Sequence, residues 1–198
     1  EYKKSIKIQA NLGDKKVDRY QLELKSLAII HVYHSDVFDE IVCEAEKLNH
    51  ICDLAFTVPC GSVYPKRIKQ IFPNSSVFEF DNVGQDVVPF LHVVNKIGYR
   101  YDLFCKSHTK KGDKELSYVW REELYQSVSK SVKHAKQIVE SFQDNSGLGM
   151  LGSTLFYVPL KRYKLANELK MIELLKKGCM NFSDSCGFFA GTIFWVRK

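Results

Sequence analysis

The sequence predicts an α/β domain, a Rossmann-like and mainly parallel sheet flanked by helices, with a short N-terminal β extension. Two observations carry this expectation. Short apolar, β-branched runs alternate with stretches of helical apolar spacing, the pattern of successive βαβ units. Turn-forming and charged residues gather at the ends of those runs, where open α/β sheets bind their ligands. The 198 residues, 45% of them hydrophobic, suffice to bury roughly 70% of the unfolded surface in one main core. The expected division is residues 1–25 as an extension or the tail of a preceding domain, and residues 26–198 as the α/β domain.

Each element has its own signal. Ser5 to Ala10 and Val17 to Leu24 alternate around the turn residues Asn11-Leu12-Gly13-Asp14, which suggests a hairpin. Leu27 to Tyr33 is a nearly continuous apolar strand, Asp36 to Leu48 a helix capped by Ser35 or Asp36, and Asp53 to Val58 a second strand. Pro59, Gly61 and Pro65 mark a loop before a short helix near Arg67 to Phe72. Ser76 to Phe80 is a third strand. Asp81 to Asp86 is a turn, since Asn82 and Gly84 tolerate positive φ and Asp86 can cap the next helix. Val87, Phe90, Leu91 and Val94 then recur at helical spacing, with Pro89 harmless in the first turn. Tyr101 to Cys105 is a fourth, buried strand that delivers Lys106-Ser107-His108-Thr109-Lys110-Lys111 into a loop. Further on, Glu115 to Val128, Ser131 to Phe142 and Arg162 to Lys177 read as helices. Leu148 to Leu151 reads as a short strand and Gly187 to Arg197 as an aromatic, β-branched one.

Composition bounds the partners. A net charge of +6 and pI near 8.9 permit a phosphate-bearing ligand, nucleic acid or an anionic surface. The basic clusters are only pairs or triplets such as Lys15-Lys16 and Lys110-Lys111, too short for a nucleic-acid arm. The aromatics Phe188, Phe189, Phe194 and Trp195 lie in an apolar strand, where core packing explains them better than base stacking. No nucleic-acid partner is therefore expected. Six cysteines occur without a C-x-x-C pair or metal-finger spacing; Cys43, Cys52 and Cys105 sit in apolar runs and read as reduced, buried thiols, which points to the cytoplasm. No apolar run is long enough for a membrane span. The first residue is Glu1, from which a piece of a longer protein is inferred.

Three ordered blocks resemble one family. Asn82-Val83-Gly84-Gln85-Asp86-Val87-Val88-Pro89-Phe90-Leu91 is similar to the N-x-G-R-D-v-x-P-F-L signature of the rhamnan synthesis F family of bacterial polysaccharide glycosyltransferases. Cys105 to Gly112 resembles its K-l-H-T-K-k-s signature, and Phe188 to Arg197 its F-x-A-G-T-M-F-W-v-R. The similarity runs from about Leu27 to Lys198. Gln85 stands where the family usually has Arg; if that Arg helps hold an anionic donor, this chain binds it differently or less tightly.

The resemblance implies a glycosyltransferase A-type fold and transfer of a sugar, L-rhamnose from dTDP-L-rhamnose, onto a growing cell-surface polysaccharide or lipid-linked glycan. Peripheral association with membrane-bound assembly machinery goes with that. By the same resemblance His31, Tyr33, Thr57, Asn82, Gly84, Gln85, Lys106, Thr109, Lys110, Gly191 and Thr192 are expected to bind the donor, and Asp86 and His108 to serve catalysis; Asp184, the nearby carboxylate before the last strand, is the candidate acceptor base. Each has a plainer reading. Asp86 can be only a helix cap, Asn82 and Gly84 turn formers, and a lone histidine is usually structural. Metal-dependent enzymes of this fold place Asp-x-Asp after the fourth strand. Here that place reads Lys106-Ser107-His108-Thr109-Lys110, so no tightly bound cofactor is expected. Cationic and hydroxyl donors would neutralise a departing diphosphate directly, and a divalent cation on Asp86 or Asp81 stays open. A nucleotide-sugar or glycan binding module without turnover is the alternative.

Overall fold

A computed structural model describes residues 19–111, 117–159 and 187–198, with Glu173, Lys177 and Gly178 between. Eight strands and five α-helices are found among them: β1 Ser26–His31, α1 Phe38–Asn49, β2 Asp53–Pro59, α2 Tyr64–Ile71, β3 Ser76–Phe80, α3 Val87–Ile97, β4 Leu103–His108, α4 Ser117–Ser129, α5 Val132–Asp144, β5 Met150–Gly152, β6 Tyr157–Pro159, β7 Gly187–Phe189 and β8 Phe194–Arg197. Six strands form one sheet in the order β3-β2-β1-β4-β8-β5, and β6 and β7 pair separately. β1 to β4 are mutually parallel, while β8 runs antiparallel to both its neighbours. The predicted Rossmann-like, mostly parallel sheet is what forms.

The alternation of β1 and β4 divides the core in two. Ala28, Ile30 and Val32 face α1, α2, α4 and α5 with Leu103 and Cys105; Leu27 and Ile29 face α3 with Phe104. Because both faces are covered, these strands read as continuous apolar runs. On α3, Pro89, Phe90 and Val93 are buried, and Phe90 and Val93 lie one helical turn apart on the face turned to the sheet. Trp195 on β8 is fully buried on the other side and donates its indole N–H to the carbonyl of Val128 at 3.0 Å. A buried aromatic of this kind is worth about 3–5 kcal/mol against truncation to Ala.

Several boundaries differ from expectation, each for a physical reason. Neither Ser35 nor Asp36 caps α1: Ser35–Val37 form a 3₁₀ turn and Val37 precedes the helix without a side-chain cap. The fourth strand does not stop at Cys105 but continues through His108, so Lys106, Ser107 and His108 are buried strand residues and not loop residues. Gly187 to Arg197 is not one strand, because Gly191 and Thr192 both have positive φ, 95° and 54°, and turn the chain between β7 and β8. Cys52 and Cys105 are buried thiols as expected, whereas Cys43 is exposed. In the extension, residues 19–25 form no strand. They run across the α1–β2 corner, where Arg19 pairs with Asp53 and the Tyr20 N–H reaches the His50 carbonyl. The remainder of the proposed hairpin, residues 1–18, lies outside the described residues, as does most of the helix expected from Arg162 to Lys177.

Candidate functional site

The parallel register sets adjacent strand ends side by side. His31 on β1 pairs with Thr57 on β2 and with His108 on β4, all at the carboxyl ends of their strands. Residues of one parity share a face, so His31, Thr57, Lys106 and His108 all project on the α3 side. The Nδ1 atom of His31 lies 2.9 Å from Oγ1 of Thr57. Burial lowers the His31 pKa to about 4, with the Asp86 carboxylate opposing and His108 and Lys106 reinforcing the shift.

Behind this row lies a buried ionic cluster. Lys106, 2% exposed, donates from Nζ to Oδ2 of Asp86 and, at 2.9 Å, to the carbonyl of Thr192. Rings of Phe90 and Phe194 flank the ammonium at 5.8 and 5.9 Å, a cation–π setting. Thr192 Oγ1 donates to the same Asp86 oxygen at 2.7 Å. The ring of His108 closes the cluster, with Nε2 at 2.9 Å from the carbonyl of Gly191, 3.3 Å from Thr192 Oγ1 and 3.9 Å from Asp86 Oδ2. Burial pushes the Asp86 carboxyl up, yet His108, Lys106 and the bonds from Lys106 and Thr192 outweigh it and hold the group well below the usual carboxylate range. Burial lowers the pKa values of Lys106 and His108, with Asp86 opposing both shifts.

This arrangement corrects the plainer reading of Asp86. It occupies the position before α3, but its own backbone is αR and its side chain accepts no capping bond; the carboxylate is turned to Lys106 and Thr192 instead. The turn that aims it is tightly specified. Gly84 and Gln85 both have positive φ, 71° and 53°, and a Cβ on Gly84 would lie 2.1 Å from Cγ2 of Val88. Gly84 is thus a backbone requirement, and Gln85 holds a conformation uncommon outside glycine with its side chain exposed.

Tyr33, Asn82 and Thr109 tie the rim together. Asn82 Nδ2 donates to the Tyr33 hydroxyl at 3.0 Å, and Thr109 Oγ1 accepts from the N–H groups of Tyr33 and His34 at 2.9 and 3.0 Å. Lys110 departs from the group. Its Nζ sits over the Trp120 ring at 4.3 Å, its N–H donates to the Tyr125 hydroxyl, and its carbonyl accepts from Arg121. Asp184 lies outside the described residues. Sequence reasoning missed Tyr125, whose hydroxyl also donates to the His108 carbonyl at 2.9 Å and so pins the end of β4. Its only signal was a helical periodicity shared with ordinary core residues.

The cluster does not fit a divalent cation. Its one carboxylate is engaged by an ammonium and a hydroxyl, and among the described residues no group of three His, Cys, Asp or Glu side chains is placed to hold a metal. Lys106 and His108 are likewise committed to internal partners, so direct neutralisation of a diphosphate by these two side chains, as the sequence suggested, is not what their geometry offers. The groups presented to solvent are Tyr33, Asn82 and the turn Gly84-Gln85. No described helix is long and apolar enough to cross a membrane.

The chain is similar to uncharacterized proteins named WxcX from Xanthomonas campestris pv. campestris (strain B100) and from a second strain of that pathovar, each 25% identical over 174 residues. These matches cover 85% of this chain and 25% of the relative, so the chain spans about a quarter of the length of the curated relatives it matches. No solved structure matches it. The family described as rhamnan synthesis protein F matches residues 6–198. That match begins well before Leu27, where the resemblance was expected to start, and it takes in most of the N-terminal extension. With the three signature blocks meeting in one cluster and the family matching nearly the whole chain, the protein belongs to the rhamnan synthesis protein F family, whose role is in rhamnan and polysaccharide synthesis.

Proposed function

We propose that this chain is the donor-binding part of a glycosyltransferase that moves a sugar, L-rhamnose in the best-supported reading, from a nucleoside diphosphate carrier to a growing cell-surface polysaccharide. The observation that carries the proposal is the meeting of three sequence blocks, distant along the chain, in one ionic cluster at the carboxyl ends of a parallel sheet. Ligands of open α/β sheets bind there. In this reading Asp86, Lys106, Thr192 and His108 set the shape of two turns. The turn N–H groups around Gly84 and Gln85, with Asn82 and Tyr33, meet the donor, and the backbone dipoles address its phosphates. His31, held neutral by burial, supplies a hydrogen-bonding group without charge at the same rim. A cytoplasmic site at the inner face of the membrane, supplied with dTDP-L-rhamnose and a lipid-linked or polysaccharide acceptor, accompanies the proposal.

A second reading, a nucleotide-sugar or glycan binding module without turnover, is favoured by one observation. The single carboxylate of the cluster is engaged internally and is not presented to a hydroxyl awaiting deprotonation. A thermal-shift panel of nucleoside diphosphates, nucleotide sugars and free rhamnose, with and without a divalent cation, tests the donor reading. A nucleotide at 100 times its Kd should contribute about 2.7 kcal/mol of stability, and free rhamnose nearly none at the same concentration. Equal stabilisation by rhamnose and its nucleotide conjugate would support the binding module instead.

A further inference from the structure

A cleft of about 690 Å³ opens between α1 and α4, on the opposite face of the sheet from α3. Its charges balance on a chain whose net charge is +6: Glu40, Glu44 and Glu122 stand against Lys47, Arg121 and Lys130. Several of these side chains are bonded within the groove. Arg121 grips Glu40 through two bonds of 2.6 and 2.9 Å, Lys47 lies 2.6 Å from Glu44, and Gln126 donates to Glu122 at 2.9 Å. Each carboxylate keeps lone pairs beyond those used. The groove is therefore dense in donors and acceptors and its formal charges sum to zero. With three charges of each sign lining it, the groove offers neither an anion nor a cation a net opposite charge.

A neutral polyhydroxyl ligand suits such a surface, because every hydroxyl both donates and accepts. The groove adds a wall of aromatic carbon: Tyr118, 57% exposed, lines it, and a large ring with a polar tip is the common platform for the apolar face of a ligand. Its inner wall touches the back of the cluster described above. Tyr125 and Arg121, both lining residues, bond the backbone of His108 and Lys110.

We infer that the α1–α4 groove is a saccharide site, separate from the donor rim, that holds a stretch of neutral polysaccharide chain alongside it. The inference rests on the family's role in polysaccharide synthesis and not on the donor assignment. Titration of the isotopically labelled protein with a rhamnose trisaccharide, followed by amide chemical shifts, tests it. Saturable shifts are expected in α1 and α4, at Tyr118 and Gln126 among others, with little change at His31 or Asn82. Tyr118→Ala should weaken binding about tenfold or more, while Tyr118→Phe keeps it and Gln126→Ala falls between. Nucleoside diphosphate affinity should be the same in Tyr118→Ala as in the wild type, so a failure here and a failure of the donor reading give different results. Shifts confined to residues 31, 82–86 and 108–110, no saturable shift at millimolar trisaccharide, or unchanged affinity in Tyr118→Ala would overturn the inference. A stronger response of the same helices to inorganic phosphate would overturn the neutral-ligand argument.

Discussion

Replacing Asp86 by Asn removes one charge and almost no volume, and its effect separates a helix cap from an ion-pair partner. Asn caps as well as Asp, so a capping role predicts near silence. The structure predicts a large loss, because Lys106 would be left 2% exposed with its countercharge gone. Breaking a buried pair in this way costs about 3–5 kcal/mol. The cost has a ceiling, since the lysine can shed its proton: from a pKa of ~10.4 to pH 7 that takes ~4.6 kcal/mol. In the variant the folded protein binds the Lys106 proton less tightly than the unfolded chain, so the deficit should shrink as pH rises from 7 toward ~10. At roughly 2–4 °C per kcal/mol for a chain of this size, the melting temperature at pH 7 should fall by on the order of 10 °C. Urea denaturation of the wild type and Asp86→Asn between pH 7 and 9 reads both magnitude and slope, and Asp86→Asn/Lys106→Met should recover most of the loss. A variant within about 0.5 kcal/mol of wild type at every pH, the range of an inconsequential surface change, would refute the reasoning.

The same cluster and its rim give two further outcomes. Thr192→Val keeps the shape but removes the hydroxyl bonded to Asp86 at 2.7 Å, so it should lose about 2 kcal/mol, typical for a bond to a charged group; Thr192→Ser should retain most of that, and equal urea midpoints for Val and Ser would contradict the bond's role. His31 has a folded pKa lowered to about 4 by burial, against ~6.5 when unfolded. Its contribution is complete above the unfolded value and is lost as pH falls from there through the folded one. Wild type should lose about 2 kcal/mol more than His31→Gln between pH 7 and 4, after discounting for partial exposure. Parallel pH profiles for the two proteins would exclude it.

The parallel core was legible because its strands obey a simple rule: Leu27 to Ile30 and Leu54 to Val58 are apolar at nearly every position that two helix layers must cover. β4 obeys the same burial without the same composition. Lys106, Ser107 and His108 look like loop residues until Asp86 and Thr192 are known to satisfy two of them, and those partners lie 20 and 86 residues away from Lys106. Likewise the aromatic run near the C-terminus reads as one strand, although Gly191-Thr192 must turn to bring a carbonyl and a hydroxyl to Lys106 and Asp86. The three blocks were visible as motifs. Their mutual contacts, which span 20 to 106 positions along the chain, were not, because periodicity reports only local structure.

The antiparallel insertion of β8 between β4 and β5 has a consequence in time. The hydroxyl that Asp86 needs and the carbonyl that Lys106 needs both come from Thr192, six residues before the last. At a synthesis rate of ~5–20 residues per second, Lys106 leaves the ribosome roughly 4–17 seconds before this partner exists. A sheet assembled from β1 to β4 in that interval would have β4 as an open edge, with the space for Trp195 unfilled. A charged lysine on that edge strand is the kind of group that discourages pairing with a stranger. The residue that later anchors the site would thus first act as its guard, keeping the edge unmatched until β8 arrives.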